Sequence, residues 1–120
     1  MNENPLRGEV EVTIGGKAYV MRPSYSAIVK IERTLSTRLL KLMVRLQSQD
    51  IGVEDLATII ACAVNANPDN HVKLTLDEVG EEVLAGGFVP MLKTVADFLQ
   101  CIAAAGPSKK LTEDAPSGNA

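Results

Sequence analysis

Aromatic residues are scarce in this sequence, whose 120 residues contain two Phe, two Tyr and no Trp. Because 46% of the residues are nevertheless hydrophobic, the core must be built mainly from Leu, Ile, Val, Ala and Met. Aliphatic side chains of this kind suit the packing of helices, and the chain length suits one domain. The composition therefore predicts a single domain that is mainly helical.

Long apolar runs are also missing from the chain. None approaches the roughly 20 residues that span a bilayer, and the first residues lack the basic-then-apolar pattern of a secretion signal. We therefore expect an unsecreted protein with no membrane partner. The two cysteines, Cys62 and Cys101, lie in apolar stretches typical of helices. We interpret them as small hydrophobic residues, with a disulfide as the alternative.

Residue patterns typical of catalytic or metal-binding sites are scarce in the sequence. The one histidine, His71, has no Cys, His or carboxylate group near it at the spacing of metal ligands. The acids between positions 77 and 82 lack the alternating pattern of a calcium loop, and no glycine motif for phosphate binding is present. We therefore predict that the protein is not an enzyme and has no catalytic residues, no metal site and no cofactor.

The clearest local pattern is a β-hairpin over residues 8–22. Residues 9–14 alternate between polar and apolar side chains, and Gly15-Gly16 allows the positive φ angles of a two-residue turn. This turn predicts three cross-strand pairs: Val10 with Met21, Val12 with Tyr19, and Glu9 with Arg22. Because an isolated hairpin is marginally stable in water, its apolar face must lie on helices.

Five helices are predicted after the hairpin. Their approximate bounds are 24–35, 36–47, 53–66, 75–85 and 88–105. Ser24 is a good N-cap, and Thr75 with Glu78 forms the pattern of a capping box. The helix at 53–66 is apolar on nearly all sides, which indicates a central position.

The predicted fold class is therefore mainly α with an N-terminal β-hairpin (α+β). The hairpin packs on a small bundle of four to five helices, and residues 1–105 form one domain. Residues 106–120 are rich in polar side chains, Pro, Gly and Ser, which predicts a disordered tail.

Charge is unevenly distributed along the chain. Residues 1–48 contain eight basic and four acidic side chains, a net charge of +4, whereas residues 49–120 contain four basic and eleven acidic ones, a net charge of −7. If these halves lie on different surfaces, one copy can attract the next head to tail, a geometry that forms rings or filaments. The alternative is neutralisation between the two halves within one molecule.

Two clusters are the candidates for self-association. Arg38, Lys41 and Arg45 fall within a sector of about 60° on the second helix, with no acid three or four residues away on that helix. The acidic cluster begins the fourth helix and consists of Asp77, Glu78, Glu81 and Glu82. The alternative for each cluster is a solvated helix face. DNA binding by the basic cluster is less favoured, because the chain has a pI of about 5.1 and lacks a recognition-helix pattern.

The first third of the chain resembles a known family. The residues that carry the resemblance are Arg7-Gly8-Glu9-Val10, Ile14-Gly15-Gly16-Lys17, Met21-Arg22-Pro23-Ser24-Tyr25, Ala27-Ile28 and Ile31-Glu32. In order and spacing they are similar to the phage tail assembly chaperone family of the gene-transfer-agent and siphophage type. Members of that family begin with a short hairpin, followed by an Arg-Pro-Ser/Thr-Phe step and a helix with an Ile-Glu pair. The likeness extends more loosely to about residue 105.

This resemblance implies a protein that acts in the cytoplasm of the bacterial host cell. Such a chaperone binds the long helical tape measure protein, keeps it soluble and helps to recruit tail tube subunits. Leu40, Met43 and Val44 on the second helix are the candidate residues for binding the tape measure protein, with core packing as the alternative. The runner-up is a structural tail tube subunit or other minor tail protein. We expect a tube subunit to be rich in β-sheet, and one predicted hairpin argues against it.

Overall fold

The structure, a computed structural model, describes residues 9–104. Two strands and five helices follow one another along the chain: β1 (Val10–Ile14), β2 (Lys17–Met21), α1 (Tyr25–Leu35), α2 (Leu39–Gln47), α3 (Val53–Asn65), α4 (Leu76–Gly86) and α5 (Phe88–Ala104). The predicted fold class, mainly α with an N-terminal β-hairpin, is confirmed. The predicted tail at 106–120 lies outside the described residues.

The strands β1 and β2 form an antiparallel hairpin in the predicted register. Val10 lies opposite Met21 and Val12 lies opposite Tyr19. Gly15 and Gly16 make the turn with φ angles of 61° and 84°, values that side chains bearing a Cβ rarely adopt. The third predicted pair, Glu9 with Arg22, forms an ion pair in which Arg22 Nε donates to Glu9 Oε2 at 2.9 Å. Val12, Ile14 and Met21 are buried, so this face of the hairpin belongs to the core.

The outer edge of β2 is held by the loop that follows α3. The Val20 amide donates to Asn70 Oδ1 at 3.0 Å, and the Val20 carbonyl accepts from the side-chain amides of Asn67 and Asn70. The Asn70 side chain also donates to the Val64 carbonyl at 2.9 Å. The loop therefore occupies the hydrogen-bonding groups of β2 at Val20 and ties the hairpin to the end of α3.

Helix α3 lies at the centre of the fold, as its composition predicts. It packs against α1, α4, α5 and β2. Eight of its thirteen residues are buried: Leu56, Ala57, Thr58, Ile59, Ile60, Ala61, Ala63 and Val64. Because an apolar helix of this kind cannot face water, the surrounding elements are arranged to cover it.

Helix α2 begins at Leu39, three residues after the predicted start at position 36. Ser36 ends α1 in the left-handed conformation with a φ of 52°, and Arg38 is extended at the N-cap of α2. The carboxylate of Glu32 accepts a hydrogen bond of 2.9 Å from the Leu39 amide. Glu32, from the Ile-Glu pair of the sequence motif, therefore caps the first free N–H group of α2.

We predict that Asn70→Ala lowers the free energy of unfolding by about 1–3 kcal/mol, because it leaves the amide and carbonyl of Val20 with fewer partners. Urea denaturation followed by circular dichroism measures the change. Lys73→Ala, an exposed position in the same loop, is the control and should change stability by less than about 0.5 kcal/mol. Equal stability of the two variants would contradict the role of Asn70 as a clamp.

Candidate protein interaction surface

Of the two helices that carry candidate site residues, α2 has fewer buried side chains than α4. Leu42 is its one buried residue, while Leu40 and Val44 are 76% and 60% exposed. Leu40 and Val44 are one turn apart, so they form an apolar stripe on the solvent side of the helix. Met43, the third candidate for partner binding, is half-buried. Core packing, the alternative for these residues, does not apply to Leu40 and Val44.

The members of the basic cluster on α2 differ in their contacts: Arg45 forms ion pairs with acids of the same molecule, and Arg38 and Lys41 form none among residues 9–104. Arg45 turns toward the start of α3, where its Nη2 atom lies 2.7 Å from Asp55 Oδ2. Its Nε atom also donates to the Asp50 carbonyl at 3.1 Å. Arg38 and Lys41 are exposed, and neither forms an ion pair within residues 9–104. Arg45 therefore stabilises the α2–α3 connection, and the other two cations stay available for a partner.

The acidic cluster on α4 is divided in the same way. Glu78 accepts from the Thr75 amide at 2.8 Å and completes the predicted capping box. Glu82 Oε1 accepts from the Gly15 amide of the hairpin turn at 3.1 Å. Both acids therefore have intramolecular roles.

Asp77 and Glu81 are exposed and form no ion pair inside the described range 9–104. Leu84, which is 64% exposed, follows Glu81 on the same face of α4. Leu84 was not among the site residues predicted from the sequence, although its spacing from Asp77 and Glu81 places it on the acidic face. We call Asp77, Glu81 and Leu84 the acidic stripe, and we call Arg38, Leu40, Lys41 and Val44 the basic surface.

A cavity of about 370 Å³ lies between α1, α3 and the loop before α4. The buried hydroxyl of Thr58 lines it without a hydrogen-bond partner, and the half-buried Cys62 lies beside it. Burial raises the pKa of the Cys62 thiol, an effect that the nearby charge of Lys30 opposes. The raised pKa favours the protonated thiol, which is a weak nucleophile.

Metal-binding and membrane-spanning features are both absent from the described residues. Residues 9–104 contain no group of three or more His, Cys, Asp or Glu side chains placed to hold a metal ion. Among the same residues, no helix combines the length and the apolar character needed to cross a membrane.

A family model described as "phage tail tube protein, GTA-gp10" matches residues 7–104, which is most of the chain. The chain belongs to this family. No curated protein and no solved structure matches it. Membership in the GTA-gp10 family confirms the resemblance in its general form, a tail protein of a phage or gene transfer agent. The description names the tail tube, and it therefore agrees better with the structural runner-up than with the chaperone.

We predict that Arg45→Met destabilises the fold by about 1–2 kcal/mol, because the half-buried Asp55 carboxylate loses its cation. Lys41→Met on the same helix is the matched control, since Lys41 is exposed and has no ion pair among residues 9–104. Its effect should stay within about 0.5 kcal/mol. Urea denaturation measures both values, and similar small effects for the two variants would show that the Arg45–Asp55 contact contributes little.

Proposed function

We propose that this chain is a structural subunit of the tail tube of a phage or gene transfer agent. It assembles with other tail subunits in the cytoplasm of the bacterial host cell and catalyses no reaction. The match of residues 7–104 to the GTA-gp10 family carries this proposal. From the sequence alone the chaperone was the preferred role and the tail tube subunit the runner-up, and the family match favours the opposite order.

The fold suggests how such a subunit makes its contacts. Within residues 9–104 the sheet has two strands, and the loop after α3 occupies the outer edge of β2 at Val20. The backbone groups of Val20 are therefore not free to extend the sheet from the β2 edge into a neighbouring subunit. Among residues 9–104 the exposed large apolar side chains lie on helices, so we expect helical surfaces to make the contacts with neighbouring tail subunits.

A tail assembly chaperone is the second candidate. The exposed pair Leu40 and Val44, with the half-buried Met43 beside them, favours this role. An apolar stripe on an amphipathic helix is a common means of binding another helix, and a tape measure protein is long and helical. In this role the chain binds the tape measure protein, assists the addition of tail tube subunits and leaves before the tail is complete.

The composition of finished tails distinguishes the two roles. We predict that mass spectrometry of purified particles detects this chain in many copies per tail, because a tube subunit stays in the structure that it builds. The major capsid protein of the same particles provides the internal standard for copy number. A chain that is abundant in the assembling lysate but absent from finished particles would contradict the tube role and support the chaperone.

Co-expression with the tape measure protein of the same gene cluster tests the second candidate directly. If the chain is a chaperone, Leu40→Asp with Val44→Asp should lower the soluble fraction of the tape measure protein severalfold, because charged side chains cannot pack against its apolar face. Tyr25→Asp with Val89→Asp is the matched control, because both are exposed apolar positions outside the basic surface and the acidic stripe. Failure of the wild-type chain to co-purify with the tape measure protein at low salt would exclude this role.

A further inference from the structure

We propose that two copies of this chain associate head to tail, with the basic surface on α2 of one copy docked against the acidic stripe on α4 of the next. The inference rests on the proposed role as a tail subunit, and it adds the identity of the partner and of the two surfaces. The partner is a second copy of the same chain.

Charge complementarity is the first argument for this pairing. Arg38 and Lys41 on one surface, and Asp77 and Glu81 on the other, are exposed and form no ion pair within residues 9–104. The alternative left open by the sequence, neutralisation between the two halves of the chain, applies to Arg22 and Arg45, which pair with acids of the second half. It does not apply to these four side chains. Complementary exposed charges steer two surfaces together and set their orientation.

The spacing of the charges also matches. Arg38 and Lys41 are three residues apart, and Asp77 and Glu81 are four residues apart. On α4 the four-residue spacing corresponds to about 6 Å along the helix axis, at a rise of about 1.5 Å per residue. Arg38 is the extended N-cap residue of α2 and precedes Lys41 by less than one helical turn of about 5.4 Å. The difference is small relative to the reach of the long Arg and Lys side chains. Both cations can therefore meet both carboxylates when the helices lie side by side.

Apolar side chains accompany the charges on both surfaces. Leu40 and Val44 on α2 and Leu84 on α4 are all more than half exposed in the single chain. Exposed ion pairs alone contribute little to affinity, because solvent and salt screen them. Burial of these three side chains between two helices supplies the short-range attraction that the ion pairs lack.

The geometry of this contact has a consequence for assembly. Because the two surfaces differ, each copy uses one of them toward the preceding copy and the other toward the following copy. Such contacts close into rings or extend into filaments. One helix-to-helix contact is small compared with a stable protein interface, so the association of two copies is weak and is strengthened by ring closure.

A charge-swap experiment tests the interface with the full-length chain. Variant A carries Arg38→Glu and Lys41→Glu, and variant B carries Asp77→Lys and Glu81→Lys. Each variant alone should self-associate roughly tenfold more weakly than the wild type, because like charges now face each other. An equimolar mixture of A and B should recover wild-type association, because the altered surface of each variant fits the altered surface of the other. Sedimentation velocity at low salt measures all four samples.

Two control variants have the same net charges as variants A and B, but their substitutions lie outside the basic surface and the acidic stripe. The control for A carries Lys17→Glu and Arg33→Glu, and the control for B carries Glu54→Lys and Asp97→Lys; all four positions are exposed. Both controls should associate like the wild type. Circular dichroism verifies that every variant is folded.

The interface is overturned if the wild type is monomeric at every concentration at low salt, or if the mixture of folded A and B fails to recover association. This outcome is separate from failure of the proposed function. Absence of the chain from finished tails would reject the tube role even if the charge swap succeeds. Presence in tails with a failed charge swap would reject the interface alone.

Discussion

The fold is organised around the need to bury α3. Its nearly continuous apolar surface has to be removed from water, and α1, α4, α5 and the hairpin are arranged around it. Helix α2 contributes a single buried side chain, Leu42, so it covers less of the core than its composition suggests. The apolar residues on its outer side, Leu40 and Val44, consequently remain exposed to solvent.

Polar contacts then decide which surface groups are free. The side chains of Asn67 and Asn70 hold the hairpin, Glu32 caps α2, and Arg45 joins α2 to the start of α3. Glu82 is similarly engaged with the hairpin turn. Each contact removes a polar group from the set that a partner could bind. Among the charges that are left, Lys41 lies beside Val44 and Glu81 lies beside Leu84 on their helices. An apolar centre with a polar rim is a common arrangement of surfaces through which proteins associate.

The proposed interface offers a way for a mainly helical subunit to build a tail tube. A wall built from continuous β-sheet is one route to a tube, but the described part of this chain has a single short hairpin. Helical surfaces with opposite charges offer another route, because heterologous contacts between identical subunits generate rings or filaments. The exposed stripe on α2 is also the feature that favours the second candidate, a chaperone. One apolar helix face can bind either a second copy of the chain or the tape measure protein.

Features that depend on neighbouring residues follow from the sequence alone. The hairpin register follows from the Gly15-Gly16 turn and the alternation beside it, the capping box of α4 from Thr75 and Glu78, and the central position of α3 from its composition. The sequence also supplied the family resemblance. The start of α2 and the identity of the unpaired charges depend instead on tertiary packing, because the contacts of Glu32, Arg45 and Glu82 join residues on different elements. Those contacts depend on how helices pack, and no local pattern encodes them.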